Sequence, residues 1–79
     1  MNTKIDTVEN LTADQIRAYS TNTRACLGLG RLLFREGWTK AEATEAVESR
    51  GFSPSSVYLV RDGWDDADRE LAAEEAENK

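Results

Sequence analysis

The four residues Gly51-Phe52-Ser53-Pro54 constrain this chain more than any other stretch. Glycine can take the left-handed conformation that closes a helix, and Ser followed by Pro supplies the N-cap and first-turn proline of the next. Upstream, Thr39 with Glu42 three residues later has the form of a capping box, in which each side chain bonds the other's backbone amide. Residues 39–61 therefore read as a helix, a glycine-closed turn and a second short helix. The run Ser55-Ser56-Val57-Tyr58-Leu59-Val60 carries β-branched and aromatic residues, so a strand is the competing assignment. Its Ser-Pro start favours the helix.

The rest of the chain extends this helical pattern. Thr12 and Gln15 form a second potential capping box, with Leu11 against Ile16 as a hydrophobic staple. From there Ile16, Tyr19, Thr23, Cys26, Leu27, Gly30, Leu33 and Phe34 recur at steps of three and four, the period of one helical face. That stripe predicts a helix to about Glu36, ended by Gly37. Ser20 to Thr23 are poor helix formers, which leaves open whether residues 12–36 make one helix or two. Asp62-Gly63 reads as another stop, after which Asp65 with Asp68 could cap a last helix through Leu71.

The expected fold class is all-α, a small bundle of three to four helices that contains the 39–61 hairpin. Residues 1–79 form a single domain on this reading: a frayed N-terminus over 1–10, a helical core over 11–64, and an acidic tail or marginal helix over 65–79. The expected core is Ile16, Tyr19, Cys26, Leu27, Leu33, Phe34, Trp38, Val47, Phe52, Val57, Val60 and Trp64.

Seventy-nine residues lie near the lower limit at which one core stabilises a chain without disulfides or metals, so self-association into a homodimer is a live expectation. Cys26 is the only cysteine and reads as a buried small hydrophobe in a reducing cytoplasm. No apolar run is long enough to span a bilayer, and the first ten residues lack the features of a signal peptide. A soluble cytoplasmic protein without a membrane partner is expected.

The net charge of −5 is unevenly spread. Residues 14–63 carry seven basic and six acidic side chains, whereas residues 64–79 carry seven acidic and two basic. Phosphate neutralisation by Lys and Arg dominates nucleic-acid affinity, so the acidic total opposes DNA binding while the near-neutral body permits it.

Several chemistries lack their residues. With no histidine there is no Ser-His-Asp or Cys-His arrangement, and an enzyme is not expected. Gly28-Leu29-Gly30 lies inside a helical pattern without the preceding strand or Lys-Ser/Thr of a phosphate loop, so close approach of another backbone explains it better. The carboxylates lack the alternating spacing and central glycine of a calcium loop, and neither a metal nor a cofactor is expected.

Three surfaces remain as candidates. Arg17, Arg24 and Arg31 are seven apart with Arg35 four beyond, one basic stripe on a continuous helix that could seat phosphates or an acidic partner, or simply be solvated. Leu29 and Leu32 fall off the main apolar face, near Ala25, and could widen the core or meet a second copy. On the second hairpin helix Val57 and Val60 face inward, which turns Ser53, Ser55, Ser56, Tyr58, Leu59 and Arg61 outward. Hydroxyls suit phosphates and Arg61 suits a guanine edge, whereas Leu59 beside Asp62 suits a protein contact.

With Val47 four residues before Gly51 and Val57 six after it, the hairpin resembles the helix-turn-helix of small phage and bacterial DNA-binding proteins. Gly51 to Tyr58 also resembles the corresponding piece of phage small terminase subunits. The pattern departs at Arg50, where most such motifs place an aliphatic residue. The resemblance implies a phage- or plasmid-type DNA-binding regulator using Ser55, Ser56, Tyr58 and Arg61, with Arg24, Arg31 and Arg35 as further DNA contacts. In size and charge the chain is also similar to phage anti-CRISPR proteins. That likeness implies an acidic inhibitor of a host protein or ribonucleoprotein complex, with Leu29, Leu32, Leu59, Glu42, Glu45 and Glu48 as partner contacts.

Overall fold

In the computed structural model, residues 8 and 10–77 are described, so most of the expected frayed N-terminus lies outside the described residues. The chain forms α1 (Ala13–Ser20), α2 (Thr23–Arg35), α3 (Lys40–Ser49) and α4 (Pro54–Glu77). No strand occurs among the described residues, and residues 55–60 are helical. The protein is thus all-α, a small helical bundle. No helix among the described residues is long and apolar enough to cross a membrane.

Local chemistry sets each boundary. Both capping boxes form: the Thr12 hydroxyl accepts from the Gln15 amide and the Thr39 hydroxyl from the Glu42 amide, each at 3.1 Å, and the Gln and Glu side chains return the bond. The Ser20–Thr23 stretch breaks the helix, because Asn22 caps α2 by accepting from the Ala25 amide at 3.0 Å. Helices α2 and α3 then end alike. Gly37 and Gly51 take φ of 93° and 96°, while the amides of Trp38 and Phe52 donate to the carbonyls of Leu33 and Val47. Each end is a Schellman motif, and in each the glycine sits where a Cβ would be strained.

Packing centres on α2 against α4, the most extensive helix contact in the bundle. The two backbones meet at Gly30 and Gly63: a Cβ on Gly30 would collide with the Val60 carbonyl, and one on Gly63 with the Leu27 carbonyl. The Asp62-Gly63 stop is therefore a misreading. Glycine disfavours a helix interior by about 1 kcal/mol, but this one is required by the crossing, and α4 runs through it for 24 residues. Phe34 and Trp64 stack edge to face beside the crossing, with centroids 5.1 Å apart. The Trp64 indole donates to the Trp38 carbonyl at 2.9 Å, while the Trp38 indole N–H is buried without a partner among the described residues.

The core consists of Val8, Cys26, Leu29, Leu33, Ala43, Val47, Phe52, Val57 and Val60. Leu33, Val47 and Val60 are fully enclosed, each contributing roughly 1.5–3 kcal/mol. Ile16, Tyr19, Leu27, Phe34, Trp38 and Trp64 are only partly buried. Val8 lies within the stretch expected to be frayed, yet its side chain is sealed into the core. Leu29, assigned to a possible outer contact, is also buried, because α2 touches α1, α3 and α4 and hides a wider arc than one stripe.

Candidate nucleic-acid interface on the helical hairpin

Helix α3, the turn at residues 50–53 and the start of α4 build the hairpin. Val47 from α3, Phe52 from the turn, and Val57 and Val60 from α4 are buried in the core, while Gly51 between the two helices is exposed. The aliphatic position that Arg50 vacates is met differently. Arg50 is exposed and its guanidinium donates to the Leu11 carbonyl at 2.6 Å, tying the hairpin to the N-terminal segment rather than filling the core.

At the start of α4 the Ser53 hydroxyl accepts from the Ser56 amide at 3.3 Å and donates to the Ser56 hydroxyl at 3.0 Å. Ser56 is 2% exposed, so its assignment to an outer surface is corrected. Four residues before Val60, it falls on the inner face and lies against Cys26. Burial pushes the Cys26 thiol above its ordinary pKa, the Ser56 hydrogen bond acts in the opposite sense, and the thiol donates to the Tyr19 carbonyl at 3.0 Å. Leu59 is likewise corrected: it is partly buried and packs on the core.

Ser55, Tyr58 and Arg61 remain exposed, Tyr58 at 63%. Arg61 lines a groove of about 540 Å³ between α3 and α4 together with Lys40, Ala41, Thr44, Glu45 and Glu48. A smaller hollow of about 250 Å³ continues past Glu48 and Arg61 to Phe52, Pro54, Val57 and Tyr58. Glu45 and Glu48 thus share a surface with Arg61 instead of forming a separate one, and they weaken its field toward phosphate. Glu42 belongs to the Thr39 capping box.

The basic stripe is divided. The break at Thr21 and Asn22 removes Arg17 from it, and Arg17 pairs with Asp14 at 3.7 Å. Arg31 makes a bidentate pair with Glu70 of α4, at 2.7 and 2.8 Å. That hydrogen-bonded guanidinium, with Arg35 and Arg69 adding attraction, holds the Glu70 carboxyl below its ordinary range. Arg24 and Arg35 are exposed on the far side of α2. At about 100° per residue they lie some 120–140° from Gly30, while Tyr58 and Arg61 lie some 140–160° from Gly63. Because Gly30 and Gly63 face each other, the two sets point away from one another.

The acidic tail is helical through Glu77 as the continuation of α4, anchored by the Arg31–Glu70 pair, a Lys40–Asp65 pair at 2.8 Å and the buried Ala67. Beyond Glu70 its side chains are exposed through Ala76. No group of metal-ligating side chains occurs among the described residues. No protein-family model, curated protein or solved structure matches this chain.

Proposed function

We propose that the protein is a small DNA-binding regulator of phage or plasmid type that presents Ser55, Tyr58 and Arg61 of α4 to DNA. One observation carries the reading. Val47 before the left-handed Gly51 turn and Phe52, Val57 and Val60 after it are all buried in the core, and the first two turns of α4 thereby turn hydroxyls and one guanidinium to solvent. A helix docked by its N-terminal turns is the usual geometry of this motif in the major groove. Hydroxyls there suit phosphate oxygens, and Arg61 suits the acceptor pair of guanine. Arg24 and Arg35 lie on the opposite side and take no part in the same contact.

A second reading is supported by the carboxylates flanking Arg61 and by the exposed acidic end of α4. In it the protein is an acidic inhibitor of anti-CRISPR type that offers carboxylates to a host nucleic-acid-handling complex where phosphate would bind.

Fluorescence anisotropy on selected duplexes across salt concentrations separates the two. The regulator reading expects binding at about 50 mM salt with a measurable salt slope, and a loss of about 1–3 kcal/mol on a specific site for Arg61→Ala. Neutralising Asp68, Glu74 and Glu75 should raise non-specific affinity by removing repulsion from phosphate. Absence of DNA binding by both the native and the neutralised protein at that salt overturns the regulator reading in favour of the inhibitor.

A further inference from the structure

Helix α2 carries two glycines in opposite circumstances. Gly30 sits at the crossing with α4, where a side chain has no room. Gly28 is exposed, and a Cβ there would meet nothing within 4 Å. Nothing inside the described fold requires it, although glycine is a poor helix former. Arg24 lies one turn before it and Arg35 two turns after it on the same side, both exposed and without an ion pair among the described residues. Leu32, one turn on from Gly28, is 42% exposed. This face is a shallow saddle between two cations with an apolar rim.

The far end of α4 is complementary to it. Leu71 is 43% exposed, and Glu74 and Glu75 are exposed with no ion pair among the described residues. These two helices already match once within the chain, where Arg31 holds Glu70 in a bidentate pair. We propose that the Gly28 face of α2 docks the acidic end of α4 from a second copy of this chain, with Arg24 and Arg35 meeting Glu74 and Glu75. Under two-fold symmetry the contact is made twice, which doubles the four charges and two leucines involved. A nucleic-acid backbone would satisfy the arginines but not Leu32 and Leu71, which favours a second copy as occupant. The hairpin points away from this face, so self-association leaves Tyr58 and Arg61 open.

Sedimentation equilibrium at about 50 mM salt, with protein at tens of micromolar, tests the proposal independently of DNA binding. The native chain should be a dimer that dissociates as salt is raised. Gly28→Leu, Arg24→Glu/Arg35→Glu and Glu74→Arg/Glu75→Arg should each give monomers with native circular dichroism. An equimolar mixture of the two charge-reversed proteins should recover a dimer, a result that stands whether or not Gly28→Leu folds. A monomeric native chain, a dimer that survives the charge reversals, or a mixture that stays monomeric each overturns the proposal.

Discussion

Gly30 and Gly63 face each other across the α2–α4 crossing, each leaving the space that the other helix's backbone fills. Alanine is the better helix former at either place by about 1 kcal/mol, yet its methyl would strike a carbonyl oxygen of the facing helix. The steric term wins, because backbone cannot move aside as a flexible side chain can. Gly30→Ala and Gly63→Ala are each expected to destabilise by about 2 kcal/mol or more, as overpacking in a dense core does. Gly28→Ala, on open helix, is expected to stabilise the fold by up to about 1 kcal/mol. Urea midpoints of the three variants check this, and equal effects at all three positions would contradict the crossing.

Gly51 is held at a φ of 96° by the Schellman ending of α3. Gly51→Val should lower stability by about 1–2 kcal/mol or more, since a β-branched residue is strained there. An unchanged urea midpoint would rule out the left-handed turn.

Arg50 joins the end of α3 to the Leu11 carbonyl and so helps to hold the segment that places Val8 in the core. Arg50→Leu removes that tie while supplying the aliphatic residue usual in helix-turn-helix motifs. The amides of residues 11–16 should then exchange faster with solvent, and stability should fall by about 1 kcal/mol. Faster exchange at residues 43–47 instead would show that Arg50 supports the hairpin core.

Cys26 is sealed, and burial raises its thiol pKa. A raised folded pKa means that the stability it contributes is complete below the unfolded thiol value of about 8.5 and is lost as pH climbs toward the folded one. Alkylation should therefore follow unfolding, and alkaline pH should weaken the native protein less in a Cys26→Ser variant. Glu70 behaves in the opposite sense. Its carboxyl is held low by Arg31, so its contribution is present above about pH 4.3 and is lost as pH falls through the lowered folded value. Glu70→Gln should flatten that acid limb; an unchanged acid profile would show that the ion pair does not couple to folding.

Much of this fold was legible because its boundaries are local. Thr12 with Gln15, Thr39 with Glu42, and the glycines at 37 and 51 act within a few residues of themselves, and the sequence displays both partners. Gly63 was not legible, since its place inside α4 is decided by the Leu27 carbonyl, 36 residues away in sequence. Within the candidate site the exposure of Ser55, Tyr58 and Arg61 followed from the inward positions of Val57 and Val60. Ser56 was misplaced by its polarity although its spacing from Val60 put it on the inner face. Val8 was passed over because its surroundings are polar, although Ile5 and Leu11 stand three residues to either side of it at helical spacing, and no pattern announces the proximity of Glu45 and Glu48 to Arg61. That proximity arises only when the two helices pack.

The most direct measurement of the proposed function is a two-dimensional amide NMR titration of the labelled protein with a short duplex at about 50 mM salt. Shifts concentrated on residues 53–62, with residues 24–35 unmoved, are expected if α4 enters the groove through Ser55, Tyr58 and Arg61. Shifts confined to Arg24, Gly28 and Arg35, or no shift at any duplex concentration, would contradict it.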